Sequence, residues 1–213
     1  MYDTYIFDLD GTLLNTLGDL ASSTNYALRR CGMPVHSTDD VRRFVGNGVR
    51  RLMELAVPGG VGNPRFEEAL QTFREHYLQH SLDTTRPYEG IPEMLAGLKR
   101  RGKRMAVVSN KFCTATEELC RHFFPGTIHV AIGENEAAGV RKKPAPDTVI
   151  EALRRLDADK RGAVYVGDSD VDIATARNAG LPCISVLWGF RDRRFLEDCG
   201  ATDFVSCPQE LCK

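Results

Sequence analysis

The chain has 213 residues, which is enough for one sizeable core or for a core with a small inserted domain. Apolar residues make up 42% and charged residues 27%, and the net charge of −1 gives no reason to expect nucleic acid or an acidic membrane surface as partner. Seven cysteines without a CxxC pair, no signal-peptide pattern and no apolar stretch of membrane-spanning length predict reduced thiols and a cytoplasmic location.

Short runs of β-forming apolar residues recur along the chain and alternate with helical patterns. Because these runs are too short for buried helices, we predict strands buried on both faces. The predicted strands are Thr4–Phe7, Arg104–Ser109, Ile128–Ile132, Ala163–Val166, Cys183–Leu187 and Asp203–Val205. The helical patterns between them are Ile91–Arg101, Ala115–Phe123, Asp147–Leu156 and Asp170–Ala179. This alternation predicts an α/β fold, a doubly wound (Rossmann-like) parallel sheet with helices on both faces.

Residues 16–83 interrupt the alternation, since they show helical periodicity alone. Ser37 precedes Asp40 by three residues, which is typical of a capping box at the start of a helix. The predicted helices are Asp19–Cys31, Asp39–Val45, Val49–Ala56 and Pro64–Ser81. We therefore predict an inserted helical cap domain at residues 16–83, with a core domain formed by residues 1–15 and 84–213.

Two carboxylates, Asp8 and Asp10, directly follow the first predicted strand in the segment DLDGTL. In an open parallel sheet, ligands bind beyond the carboxyl ends of the strands, so both acids are delivered to that crevice. A bare pair of aspartates at this spacing would more simply cap or solvate a turn. The complete segment directly after a strand favours the functional interpretation.

A second acidic segment contains Asp168, Asp170 and Asp172, and it joins the strand that ends at Val166 to a helix. Like charges so close together raise one another's pKa and cost stability unless a cation neutralises them. Together with the acids after the first strand, they predict a site of hard oxygen ligands. Mg2+ suits this site, since it binds one or two carboxylates and completes its octahedron with water and phosphate oxygens.

Two shorter segments carry polar groups whose role the residues alone leave open. Ser109 and Asn110 end a predicted strand, where an ordinary helix cap explains them at least as well as a ligand contact. Lys143 precedes a proline turn and a helix start, and it is either a phosphate ligand or an ordinary loop cation.

These four segments, in this order, resemble the haloacid dehalogenase superfamily. The order is DxDGTL, a strand that ends in serine, Lys-Pro, and GDSxxD, and the resemblance covers nearly the whole chain, including the helical insert. Within this superfamily, the chain looks most like the phosphoglycolate-phosphatase-like branch. The resemblance lies in the segments Ser109-Asn110-Lys111, Lys143-Pro144-Ala145-Pro146 and Gly167-Asp168-Ser169, and in the stretch from Phe44 to Val49 with Leu52.

The resemblance implies a magnesium-dependent phosphatase that acts on a small phosphate monoester through an aspartyl-phosphate. Asp8 would be the nucleophile, and Asp10 would be the general acid and base. Mg2+ would bind Asp8, the carbonyl of Asp10, and Asp168, with Asp172 behind them or on a metal-bound water. Ser109, Asn110 and Lys143 would hold the phosphate oxygens.

The same resemblance suggests that the cap loop Gly46-Asn47-Gly48 meets the substrate, with Arg51 as a further candidate. The residues by themselves indicate no more than a break between two helices at these glycines.

A phosphosugar mutase is the main alternative to a phosphatase. Such enzymes usually carry a histidine in the first cap helix and a serine-arginine pair in the cap turn, where this chain has Leu20 and Gly48-Val49. Pyrophosphatase and nucleoside monophosphate phosphatase activities also stay open, and a non-catalytic binding protein is the least favoured interpretation.

Some other patterns are better explained by structure than by function. His76 and His80 have a spacing that can hold zinc, but no third ligand is evident, so a surface helix pair is the better interpretation. Trp188-Gly189-Phe190 follows the last clear strand and either lines the mouth of the site or, as the better interpretation, packs in the core near a turn. The expected partner is a small phosphorylated metabolite, with no nucleic acid and no membrane, and the expected state is a monomer or homodimer.

Overall fold

A computed structural model describes residues 2–134 and 139–212 of the chain. The contacts divide the chain into two compact units, one formed by Met1–Leu14 with Pro87–Lys213 and the other by Asn15–Arg86. The second unit is thus a helical insertion in the first. Its role as a cap over a substrate stays a prediction.

A six-stranded parallel sheet with the strand order β5-β4-β1-β6-β7-β8 forms the centre of the first unit. This sheet confirms the α/β fold that the alternating pattern predicts. Two further strands of two residues each, β2 and β3, lie where the chain passes from one unit to the other. In chain order the strands are β1 (Thr4–Phe7), β2 (Leu14–Asn15), β3 (Arg86–Pro87), β4 (Arg104–Phe112), β5 (Val130–Glu134), β6 (Ala163–Gly167), β7 (Cys183–Val186) and β8 (Asp203–Val205).

Helices surround the sheet and also make up the second unit. The second unit contains α1 (Leu17–Arg30), α2 (Thr38–Phe44), α3 (Val49–Ala56) and α4 (Phe66–His80), with a 3-10 turn at Gly60–Gly62. The first unit contains α5 (Ile91–Arg100), α6 (Cys113–Phe123), α7 (Asp147–Leu156), α8 (Asp170–Ala179) and α9 (Arg193–Asp198), with 3-10 turns at Lys160–Gly162 and Pro208–Cys212. No helix in the described part of the chain combines the length and the apolarity that a membrane crossing needs.

Strand β1 is buried on both faces, as its continuous apolar sequence predicts. Ile6 packs with Ala106, Val108 and Tyr165 of the neighbouring strands in a cluster completed by residues of α7 and α8. Because side chains alternate along a strand, Tyr5 and Phe7 point to the opposite face, and both are fully buried as well. The sheet is therefore covered on both sides, which places its polar groups at the strand ends.

The second unit has a core of its own, in which α1 packs against α4. Phe66, Leu70, Phe73 and Tyr77 recur at helical spacing along α4 and are all buried. The rings of Phe73 and Tyr77 stack with their centroids 5.6 Å apart. These aromatic side chains give a short insertion enough buried area to pack as a unit.

The predicted elements are present, and their ends match the prediction or differ from it by up to three residues. Ser37 caps α2 through the predicted capping box, since its side chain accepts from the Asp40 amide while the Asp40 carboxylate accepts from the Ser37 amide. Strand β4 continues to Phe112 instead of ending at Ser109. Helix α4 begins at Phe66 instead of Pro64, because the Asn63 side chain accepts from the Arg65 amide and holds a turn there. Helix α9 was not among the predicted elements.

Candidate active site

Three of the four motif segments lie at the same edge of the sheet, two of them at the ends of β1 and β6 and the third within the last part of β4. Phe7 of β1 pairs with Val107 of β4 on one side and with Val166 of β6 on the other. The residues that follow at the same edge of the sheet are therefore Asp8, Ser109 and Asp168. This is the point at which the chain order of the strands reverses, where open α/β sheets place their ligand sites.

Three carboxylates from this edge converge. Single oxygens of Asp8, Asp168 and Asp172 all lie within 4.8 Å of one another, and the three residues are buried. Burial, followed by the charge of Asp172, raises the pKa of Asp8 well above its ordinary value. The same two causes raise the pKa of Asp168 to about 7. Three buried carboxylates so close together favour a cation among them.

Lys143 supplies a buried cation to this cluster. Its Nζ lies 2.8 Å from Asp8 Oδ1 and 2.8 Å from Asp172 Oδ1, and its side chain is only 2% exposed. Burial alone would lower the pKa of Lys143, but the charges of Asp172 and Asp8 outweigh that effect and raise it. The lysine is thus held in its charged form between two carboxylates.

Asp172 is the most completely hydrogen-bonded of the three acids. Its Oδ1 accepts from Lys143 and from the Tyr165 hydroxyl, at 2.8 Å and 3.0 Å. Its Oδ2 accepts from the amides of Asp168 and Ser169 and from the Ser169 hydroxyl. Both oxygens are therefore occupied by the protein, which suits a residue that orients Lys143 and the Asp168 loop better than a direct metal ligand.

Asp168 is fixed by the segment after β1 and by the turn after β7. Its Oδ1 accepts from the Thr12 hydroxyl at 3.2 Å, and its Oδ2 accepts from the Phe190 amide at 2.7 Å. Gly11 and Gly189 allow this close approach, because a Cβ at either position would overlap the Asp168 side chain. The Asp168 carboxylate is held on both sides by this packing.

Asp10 is not part of the carboxylate cluster but pairs with a different cation. Lys111 Nζ lies 3.0 Å from Asp10 Oδ1. The Lys111 side chain is 2% exposed and that of Asp10 is 14% exposed, so the pair is largely removed from water. Asp10 and Lys143 therefore belong to two adjacent ion-paired groups at the same edge of the sheet.

Asn110 and Ser109 lie at this edge and bond within the protein. The Asn110 amide side chain donates to the Lys143 carbonyl at 3.0 Å and accepts from the Lys143 amide at 2.8 Å. Ser109 Oγ accepts from the Lys111 amide at 3.2 Å. The Asn110 side chain thus positions the lysine loop, and binding of phosphate by these two residues stays a prediction.

The sequence analysis did not identify Lys111, Tyr165 and Thr12 as parts of the site. Lys111 stands directly after Ser109-Asn110, so its position next to a motif was the available signal. Tyr165 lies within a buried strand and gave no signal, because a hydroxyl in an apolar run is indistinguishable from core. The turn Trp188-Gly189-Phe190 packs against the site rather than into the core, since Trp188 Nε1 donates to the Thr12 carbonyl at 2.9 Å.

The predicted cap loop lies in the second unit. Gly46 and Gly48 both have positive φ angles, and Arg51 forms an ion pair with Glu54 at 2.8 Å. Gly48 directly precedes α3, so it breaks the chain between α2 and α3. Contact of Gly46, Asn47, Gly48 and Arg51 with a substrate stays a prediction.

The carboxylate cluster fits a divalent cation on the chemistry of its donors. Such ions take hard oxygen ligands that carry negative charge, as these three carboxylates do. Within the described residues it is also the one group of three or more potential metal-binding side chains that lie close enough together. His76 and His80 stack with their ring centroids 4.2 Å apart, but they bond to Ser23 and Asp83.

Comparison with known proteins gives a consistent picture. The family model for haloacid dehalogenase-like hydrolases matches residues 5–186. A phosphoglycolate phosphatase of Aquifex aeolicus is 35% identical over 191 residues, which cover 87% of this chain and 84% of that protein. An N-acetylmuramic acid 6-phosphate phosphatase of Pseudomonas aeruginosa is 30% identical over 208 residues, which cover 97% of this chain and 91% of that protein.

Solved structures resemble the whole chain as well. A structure from Lactobacillus delbrueckii subsp. bulgaricus has a TM-score of 0.93 and 35% identity, and the match covers 99% of this chain and 97% of that chain. CbbY of Rhodobacter sphaeroides, solved in complex with phosphate, has a TM-score of 0.79 and 25% identity, with 99% and 96% of the two chains covered.

Proposed function

Since this chain belongs to the haloacid dehalogenase-like hydrolase family and is a phosphoric monoester hydrolase, we propose that Asp8 is its nucleophile and that Mg2+ is its cofactor. The observation that carries the proposal is the position of Asp8. It is buried at the carboxyl end of β1, 2.8 Å from Lys143 and in one cluster with Asp168 and Asp172. A structural carboxylate would have little reason to lie in so costly a place.

Asp8 attacks the phosphorus of the bound monoester while the bond from phosphorus to the leaving alcohol breaks. The leaving oxygen takes a proton from Asp10, which lies two residues beyond the nucleophile on the extended segment. The phosphoryl group is then carried on Asp8 as an aspartyl-phosphate. Asp10, now a carboxylate, takes a proton from water as that water attacks phosphorus, which releases inorganic phosphate and restores Asp8.

Lys143 and the strand ends serve to hold the transferred group. The ammonium of Lys143, 2.8 Å from Asp8, can bind a phosphate oxygen and offset the charge that collects there. Ser109 and the main chain at Asn110 lie in the adjacent strand β4, just beyond the level at which β1 ends, and provide donors to the other oxygens. Asn110 keeps Lys143 in place through its two bonds to the main chain of that residue.

Asp8 and Asp168, with the carbonyl of Asp10, would hold the Mg2+ ion. The ion would supply positive charge that lets an anionic nucleophile approach an anionic phosphate. Asp172 would stay behind these ligands, because its two oxygens accept five hydrogen bonds from the protein, whereas those of Asp168 accept one each from the described residues.

The favoured substrate is phosphoglycolate or a monoester like it. The phosphoglycolate phosphatase of Aquifex aeolicus supports this choice, and the Pseudomonas aeruginosa relative that acts on a sugar phosphate is the reason to test larger monoesters too.

The cysteines in the described residues are all free thiols, which supports a reducing compartment such as the cytoplasm.

The experiment that tests this function is a panel of phosphate monoesters assayed with Mg2+ and after exhaustive chelation. We expect phosphate release from phosphoglycolate that stops on chelation and returns with Mg2+. The Asp8→Asn protein should fold and release no phosphate, because an amide cannot form the acyl phosphate. Full activity after chelation, or near wild-type activity of Asp8→Asn, would overturn the proposal.

A further inference from the structure

We propose that Lys111 selects substrates that carry a second anionic group next to the phosphorylated oxygen. The inference rests on the proposed function, because it takes Asp10 as the group that contacts the leaving oxygen. It adds to the favoured substrate, phosphoglycolate, a residue that recognises the carboxylate of the leaving group.

The position of Lys111 is the first argument. A general acid must come within about 2.6–3.2 Å of the oxygen that it protonates. Lys111 Nζ lies 3.0 Å from Asp10 Oδ1, so the ammonium is within about 6 Å of the leaving oxygen of a monoester bound at Asp8. The leaving half of the substrate is therefore within reach of this lysine.

The division of charge between the two buried lysines is the second argument. Lys143 lies between two carboxylates and also donates to the Tyr165 hydroxyl. Lys143 thus lies on the side of the site where the phosphoryl group is transferred. Lys111 lies against Asp10, on the side of the leaving group, with its side chain only 2% exposed. A buried ammonium in that place favours a negative charge on the leaving group.

The distances fit a carboxylate on the carbon that bears the phosphorylated oxygen. The oxygens of such a carboxylate lie about 3 Å from the ester oxygen. This span lets a carboxylate oxygen reach the Lys111 ammonium while Asp10 contacts the ester oxygen. An alcohol of the same length with a neutral end gives only a weaker hydrogen bond, and one with a cationic end is repelled.

The test compares three two-carbon phosphate monoesters that differ in charge at the far end. They are 2-phosphoglycolate, 2-hydroxyethyl phosphate and 2-aminoethyl phosphate, assayed with Mg2+. A hydrogen bond between the ammonium and a carboxylate is worth more than one between the ammonium and a neutral hydroxyl. We therefore expect kcat/KM for the anion to exceed that for the neutral ester by about 10- to 150-fold. The cationic ester should be the poorest of the three. This comparison needs no variant, so it stands even if a substitution prevents folding.

Two variants of the same residue then assign the preference. Lys111→Met should bring kcat/KM for the anionic and the neutral ester to within about threefold of each other, because the charge that distinguishes them is gone. Lys111→Arg should keep the anion preferred, since it keeps the charge. The matched control is Lys99→Met, which removes an exposed lysine whose ammonium donates to the Gly126 carbonyl. It should leave the wild-type order unchanged.

The outcomes separate this inference from the function beneath it. If none of the three esters nor p-nitrophenyl phosphate is hydrolysed with Mg2+, the proposed function itself fails. If the esters are hydrolysed without a preference for the anion, or if Lys111→Met keeps the full preference, Lys111 does not select the leaving group.

Discussion

Lys143 makes two ion pairs of equal length, and its partners have unequal surroundings. Asp172 is 0% exposed and has both oxygens filled by hydrogen bonds, whereas Asp8 is at the edge of the sheet, where a phosphate can reach it. The first pair therefore fixes the lysine, and the second keeps a positive charge beside the proposed nucleophile. At the scale of residues, we infer that Asp172 is a structural carboxylate and Asp8 a reactive one.

The Asp10→Asn substitution tests acid–base catalysis. An amide cannot give a proton to the leaving alcohol, so kcat for an alkyl phosphate should fall by about 10²- to 10⁴-fold. The loss should be smaller for p-nitrophenyl phosphate, whose leaving group needs little protonation. Single-turnover and steady-state assays on both substrates provide the measurement. Wild-type rates on both substrates, without accumulation of phosphorylated protein, would show that Asp10 is not this group.

The pKa of Asp168 predicts that stabilisation by the metal depends on pH. Burial and the charge of Asp172 raise this pKa from its ordinary 3.8 to about 7 in the protein without metal. The folded state then binds a proton that the unfolded chain has lost, so this contribution to stability falls as the pH rises from about 4 to about 7. A bound cation takes the place of that proton.

The increase in melting temperature on addition of Mg2+ should therefore be larger at pH 8 than at pH 6. Thermal unfolding with Mg2+ or with a chelator at both pH values measures it. The Asp168→Asn protein, which lacks one of the two carboxylates with a raised pKa, should show a smaller growth of the metal effect with pH. An equal increase at both pH values in the wild-type protein would contradict the account.

At the scale of elements, one buried carboxylate joins the two ends of the second unit. Asp19, in the first turn of α1, accepts hydrogen bonds from the amides and the hydroxyls of Thr84 and Thr85, at distances of 2.5–2.9 Å. The segment that leaves the unit is thereby tied to the helix that begins it. We infer that this contact fixes the unit where the chain enters and leaves it.

Asp19→Ala should lower the free energy of unfolding by about 2–4 kcal/mol, because it leaves several buried donors without an acceptor. Urea denaturation of the metal-bound protein gives the value. Asp39→Ala is the matched control, since Asp39 is also an acid in the first turn of a helix but is exposed. Its effect should stay within about 0.5 kcal/mol. Similar losses for the two variants would show that the buried contact adds nothing.

The elements that sequence patterns predict well are those whose pattern has one physical meaning. The apolar run of β1 and the capping box of α2 are present as predicted, because burial on both faces and a paired Ser37 and Asp40 allow few other structures. The ends of β4 and α4 differ, since they depend on a neighbouring strand and on the Asn63 turn. Contacts such as Lys111 with Asp10 join residues far apart in sequence, so no local pattern reveals them.

At the scale of the molecule, the groups of the candidate site all lie in one of the two units. The carboxylate cluster, both buried lysines and the turn at Trp188 all belong to the first unit. The second unit, Asn15–Arg86, has its own packed core and its own tie at Asp19. We therefore assign the covalent step wholly to the first unit, with Asp8 as the residue that becomes phosphorylated.

The most direct test of that claim is chemical trapping of the phosphorylated protein. Phosphoglycolate turnover with Mg2+ is quenched with sodium borohydride, which reduces an aspartyl-phosphate to homoserine, and peptide fragmentation by mass spectrometry locates the change. We predict homoserine at position 8 in the wild-type protein, more of it in Asp10→Asn when p-nitrophenyl phosphate is the substrate, and none in Asp8→Asn or after chelation. Steady phosphate release without homoserine, or with homoserine at another aspartate, would contradict it.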